Sequence, residues 1–220
     1  MLPPSRRHQP LHAGLTVMEM LLVVVVIAFL ALLAIPVVNN VQTKGKEVSC
    51  ASRMRTIGQA IRLYQADHHG FLPPNKTDPP GITADNTWVY AIHPYLNVPT
   101  GSTASVGPKM QPYLTCPSNT ELFSTWAWWY SNYAVNASDT TVFGFNGQSC
   151  RPHLREPSKT MMLTETKGFG RAIRPTANGL LLLDFRHQAR ANVLFFDGHL
   201  EARDRKAIST SPLDPFWTGK

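Results

Sequence analysis

Residues 14–38 read GLTVMEMLLVVVVIAFLALLAIPVV, and the reading of this stretch decides the rest. A basic leader with Arg6, Arg7, His8 and His12 precedes it, and after Glu19 no charge appears from Met20 to Val38. An apolar run of about 19 residues extends close to 30 Å as a helix, the thickness of a bilayer core. A helix apolar on every side must be buried in a core or in lipid, and the polar, proline-rich remainder is poorly suited to wrap one. The positive flank keeps the N-terminus cytoplasmic and the body exported. A secretory signal also has a basic start and an apolar core, but its small-residue cleavage site follows the core. Here Pro36-Val-Val-Asn-Asn follows, and the glycine stands in front.

Glu19 is the exception within the stretch. An acid inside a membrane segment costs about 2.5–3.5 kcal/mol at mid-bilayer on insertion scales, less near an end, and calls for a partner. Cleavage between Gly14 and Leu15 would create a free α-amino group four residues before Glu19, on the same helix face. In a packed array of such helices, a neighbour's ammonium could neutralise the Glu19 carboxylate.

The run Gly14-Leu-Thr-Val-Met-Glu19-Met-Leu-Leu-Val-Val resembles the class III leader of type IV prepilins and type II secretion pseudopilins, usually G-F-T-L-I-E-L-L-V-V. Leu15 stands where that family usually has Phe. The resemblance implies cleavage after Gly14 by a prepilin peptidase, N-methylation of Leu15, and a role for Glu19 in docking to other copies and other pilin-like subunits. It also implies a pilin-like α+β fold, a long N-terminal helix packed by its second half on a small C-terminal antiparallel sheet. Pro36 falls where such helices commonly carry a kinking proline.

The chain order agrees with that plan. Residues 1–14 read as a leader, 15–38 as a membrane or fibre-core helix, 39–70 as its amphipathic continuation, and 71–220 as an exported domain. Met54, Ile57, Ile61 and Tyr64 recur at spacings of three and four, opposite Arg53, Arg55, Gln59, Arg62 and Gln65. One helix is therefore expected over 16–69, with Asn39, Asn40, Gly45 and Gly58 as weak points and Gly70 as its stop. Polar loops follow at 72–85 and 97–107, around a short helix at 87–95. Strands are expected at 126–135, 160–166, 179–185, 192–196 and 199–203. Asp197-Gly198 fits a two-residue hairpin turn between the last two. The tail from 208 is proline-broken, with Phe216 and Trp217 packing down. Runs of strands after one helix give an α+β class.

Composition excludes several functions. Net charge is +7 in 220 residues, but Arg6 and Arg7 belong to the leader and no Lys/Arg run marks a nucleic-acid surface. No G-x-S-x-G, H-E-x-x-H or phosphate loop is present, so no enzyme is expected. Cys50, Cys116 and Cys150 lack the C-x-x-C spacing of zinc or thioredoxin-like sites; in an exported domain two of the three can form one disulfide. No metal or other cofactor is expected.

His187, nine residues and Asp197-Gly198 resemble the H-X9-DG signature of a large bacterial group of pilin-like proteins. Cys50-Ala-Ser-Arg-Met-Arg-Thr-Ile-Gly58 and Tyr113-Leu-Thr-Cys116-Pro-Ser are similar to two further patterns of that group, with departures at Arg53 and Thr56. The residues themselves favour a structural role: His187 bonded to a loop backbone or to Asp197, and Asp197-Gly198 making a turn. Asp184 and Glu165 read as spare acids, and the chain lacks the D-x-D-x-D-G run of a calcium loop. Trp126, Trp128, Trp129 and Tyr130 form an aromatic group that could stack on a ligand.

The leading expectation is a structural subunit of a type IV pilus or type II secretion-type pseudopilus. It would be held first in the inner membrane by one pass and then assembled in a periplasmic or extracellular fibre. The alternative is an inner-membrane-anchored envelope module that binds glycan or protein and forms no fibre. An anchored hydrolase using His187 and Asp197 is the third and weakest reading.

Overall fold

The computed structural model describes residues 15–75, 87–99, 101–119, 131–138, 142–143, 149–167 and 172–220, with the side chains of 33, 34, 36, 37 and 103–105 outside the described set. The expected aromatic group at 126–130, Gly14 and the basic leader also lie outside it. The chain divides into two units, residues 1–43 and 44–220.

Helix α1 runs Val17–Asp67, close to the expected 16–69. Its ends follow from local chemistry. Thr16 caps the start and Glu19 reaches back, while His69 and Gly70 adopt left-handed backbone at φ 53 and 86 to stop it. In the first unit, the apolar side chains from Leu15 to Leu32 stand exposed on every side, Val17 at 84% and Leu32 at 68%. Among the described residues, no helix is long and apolar enough to cross a membrane. The four undescribed side chains at 33, 34, 36 and 37 fall within the apolar run.

The second unit is α+β. After α1 come α2 (Trp88–Ala91), a 3-10 turn (His93–Leu96), α3 (Thr103–Leu114), β1 (Tyr133–Asn136), β2 (Met161–Glu165), β3 (Ala172–Ile173), α4 (Ala177–Leu181), β4 (Arg190–Phe195), β5 (Leu200–Asp204) and α5 (Pro215–Thr218). The five strands form one sheet in the order β3-β1-β2-β4-β5. β1/β2, β2/β4 and β4/β5 pair antiparallel, but β1 and β3 pair parallel, so the sheet is mixed rather than antiparallel as expected. The two-residue β3 finds its partner across a long connection, which no local pattern encodes.

Both sheet faces are covered. On one, Cys50, Met54, Ile57 and Ile61 of α1 pack with Tyr133, Val135, Met162 and Leu194. Each isoleucine buried this way contributes about 1.5–3 kcal/mol. Ala134, Met161, Val193 and Phe195 point to the other face, where Ile208, Phe216 and Trp217 of the tail close over them. The period of two sorts the residues of β1 and β4 between the two cores; in β2 the register shift between Met161 and Leu163 puts both Met162 and Leu163 on the α1 side.

Three further expectations are corrected. Residues 179–185 do not form a strand: Thr176 accepts the Gly179 amide and starts α4, an alternative open to any short apolar run. From Thr103 on, the loop expected at 97–107 gives way to α3, whose Val106, Met110 and Leu114 are buried one turn apart despite Pro108 and Pro112 inside the helix. The Asp197-Gly198 turn is not a two-residue one. Gly198 donates to the Phe195 carbonyl and Phe195 to that of His199, enclosing three residues, and of the turn only Gly198 has positive φ, 99°.

Candidate functional site

Two places hold the residues that the sequence singles out. The first is the head of α1. Thr16 donates to Glu19 Oε2 through its amide at 2.8 Å and its hydroxyl at 2.9 Å, and the Glu19 amide donates to Thr16 Oγ1 at 3.3 Å. This is a capping box, T-x-x-E, which satisfies orphan amides of the first turn reciprocally. Glu19 therefore has a partner within its own chain. The T-x-x-E spacing was the available signal, and the sequence reading attends only to an intermolecular partner. Leu15 lies just outside the helix and is 71% exposed.

The second place is buried in the second unit. Cys50, on the inward face of α1, is bonded to Cys116, which follows α3, with Cα atoms 5.2 Å apart. Of the three pairings left open, this is the one formed, and Cys150 keeps its thiol, which donates to the Val142 carbonyl. The Cys116 amide donates to Asn132 Oδ1 at 2.8 Å, tying the segment after α3 to the entry of β1.

His187 lies beside this disulfide, its Nε2 3.6 Å from Cys116 Sγ. The same nitrogen is 2.8 Å from Glu165 Oε1, at the end of β2, and both side chains are buried. Glu165 Oε2 accepts the Asn192 backbone amide at 2.8 Å, and Asn192 Nδ2 reaches Oε1 at 3.2 Å. A backbone bridge between His187 and Arg190, which exchange both hydrogen bonds, holds the ring in place. The positive φ values of Gln188 and Ala189, 53° and 62°, make the tight turn that the bridge requires.

Around the cluster, Arg186 pairs with Asp184 at 2.6 Å and Arg53 donates to the Thr115 carbonyl. Tyr133 is fully buried, and its hydroxyl has no partner among the described residues. Burial first, and then the Glu165 charge, push its phenol far above the usual tyrosine range, against the opposing pull of Arg53 and Arg186.

The H-X9-DG residues thus separate. His187 binds Glu165, not Asp197, which is in the hairpin turn with its carboxylate 2.6 Å from His199 Nδ1 and accepting the His199 amide at 3.0 Å. Partial burial opposes the Asp197 charge, but the His199 amide and ring outweigh it and hold the carboxyl below its ordinary value. The His199 ring stacks on Phe195, with the ring centroids 4.3 Å apart. The nine-residue spacing is the length of the tight turn, β4 and the hairpin. Glu165, taken as spare, is the residue most clearly missed. An acid inside a buried strand needs a partner, and that was its signal.

Among the described residues, Cys50, Cys116, Glu165 and His187 bring ligand-type atoms within 4.8 Å of one another, all buried. No family model, curated protein or solved structure matches the chain.

Proposed function

We propose that this chain is a pilin-like structural subunit, cut by a prepilin peptidase between Gly14 and Leu15 and assembled through α1 into a type IV pilus or type II secretion-type pseudopilus. The observation that carries this reading is the register of the leader motif on the helix. Cleavage there leaves a mature end two residues before α1, with Glu19 in the first turn and apolar side chains exposed all round beyond it. Such a surface is stable only against lipid or against similar helices. The subunit would wait in the inner membrane, held by residues 15–38, with its body exported, and then exchange lipid for neighbouring α1 helices.

The capping box refines the part given to Glu19. Both Thr16 donors fall on Oε2, so the box orients the carboxylate and Oε1 is the atom offered to a neighbour's terminal amine. Docking then adds to the local bonds without breaking them.

Mass spectrometry of the mature chain tests the assignment. A product beginning at N-methylated Leu15, lost when the peptidase is deleted, is expected; a chain that still begins at Met1 with the peptidase active would overturn it. Glu19→Ala should be cut and inserted normally but fail to enter sheared filaments. Its normal incorporation would remove the docking role while leaving the processing intact.

A further inference from the structure

Four segments far apart in the chain meet at one buried point: Cys50 of α1, Cys116 after α3, Glu165 at the end of β2 and His187 before β4. Two sulfurs, an imidazole nitrogen and a carboxylate oxygen are a donor set suited to zinc. Bonds of about 2.0–2.3 Å to a tetrahedral Zn²⁺ place its ligand atoms roughly 3.2–3.8 Å from one another. His187 Nε2 is already 3.6 Å from Cys116 Sγ and 2.8 Å from Glu165 Oε1. The ligand atoms all lie within 4.8 Å, so an ion needs adjustments of about an ångström or less once the sulfurs are separate. The outer shell is also built: Glu165 Oε2 is held by the Asn192 amide, and the Cys116 amide by Asn132. Zinc ligands need such orienting bonds.

We propose that the reduced form of this domain is a zinc site made of Cys50, Cys116, Glu165 and His187, and that the disulfide is its oxidised, metal-free alternative. A dithiol reductant supplies two electrons and two protons, cleaving the sulfur–sulfur bond to two thiols and leaving as its own disulfide. Zn²⁺ then replaces the two thiol protons, which pass to solvent. His187 ligates as the neutral ring through Nε2, with its proton on Nδ1. Oxidation by a disulfide-forming partner runs the same balance backwards: two electrons leave, the disulfide closes and the ion is released. The complex carries one net negative charge. Since the four ligands are buried, the ion enters through local opening of the reduced domain, which loss of the crosslink makes easier.

The test uses the full chain in detergent, reduced with a phosphine that is then removed under anaerobic conditions. Zn²⁺ is titrated against a chromophoric chelator, and Co²⁺ is used in parallel as a spectroscopic probe. One ion per reduced chain is expected, none for the oxidised chain, with the thiolate charge-transfer and tetrahedral ligand-field bands of Co²⁺. His187→Gln and Glu165→Gln should each weaken binding roughly tenfold or more, and Cys50→Ser/Cys116→Ser should abolish it. Equal affinity in the reduced wild type and the double serine variant would overturn the proposal. So would full affinity in both the glutamine variants, or Co²⁺ bound without thiolate bands. The comparison of reduced with oxidised wild type needs no substitution, so a misfolded variant does not blunt the test. A reduced chain that is unfolded and is not restored by Zn²⁺ also overturns it.

Discussion

At the residue scale, Tyr133 and Asp197 show how environment sets the worth of a polar group. A buried hydroxyl without a partner costs about 1–3 kcal/mol, and among the described residues Tyr133 has that position in the β1 core. Tyr133→Phe should therefore leave stability unchanged or raise it by up to about 1 kcal/mol in urea unfolding. A loss of more than about 2 kcal/mol would mean that the hydroxyl has a partner. The sign on the alkaline side follows from the raised phenol. Stability tied to neutral Tyr133 is complete below the ordinary tyrosine value, near pH 10, and declines as the pH rises above it. The Phe variant should lose less there. Asp197 works in the opposite direction. The stability from its charge is present above about pH 4 and fades as pH falls through its lowered value. Asp197→Asn should flatten the acid limb of the stability profile, modestly because the carboxylate is 37% exposed. An unchanged limb would show that the His199 contact contributes nothing.

At the element scale, Gly58 lies where α1 packs against β2 and β4. The sequence reading treats it as a weak point in the helix, but a Cβ there would meet Leu194 Cδ2 and Met162 Cε. Those atoms are the ends of flexible side chains. Gly58→Ala should thus be tolerated within about 1 kcal/mol, because the gain in helix propensity is of that size. Gly58→Leu should cost about 1–3 kcal/mol by overpacking, read as a fall in the urea midpoint. Equal behaviour of the two variants would mean that the helix lifts off the sheet without cost. The α1 periodicity made this packing face legible, since Met54, Ile57 and Ile61 are buried as the spacing requires. Its counterpart α3 shows Val106, Met110 and Leu114 at the same kind of spacing. There, the loop expected at 97–107 rested on its polar composition, and over 103–107 tertiary burial outweighed it.

At the scale of the whole molecule, the Cys50–Cys116 bond closes a loop of 66 residues and joins α1 to the segment leading into the sheet. Chain entropy assigns a crosslink of that span about 4 kcal/mol. Reduction in metal-free buffer should lower the stability of the second unit by about that amount, measured by urea unfolding of oxidised and reduced chains. A difference below about 1 kcal/mol would mean that the α1 packing already confines the unfolded chain. Zn²⁺ added to the reduced chain should recover part of the loss, since an ion that binds only the folded form stabilises it by mass action.

What the chain carried in plain view was local. The apolar run, the extent of α1, the strands at β2 and β4 and the hairpin at Gly198 rest on neighbours a few residues apart, where periodicity and turn chemistry operate. The tertiary structure alone decided that Cys50 pairs with Cys116, that Glu165 rather than Asp197 holds His187, and that β3 joins β1 in parallel. Each of these unites residues tens of positions apart. Partners at that distance are selected by which faces the folded core brings together, a choice that leaves no periodic trace along the chain.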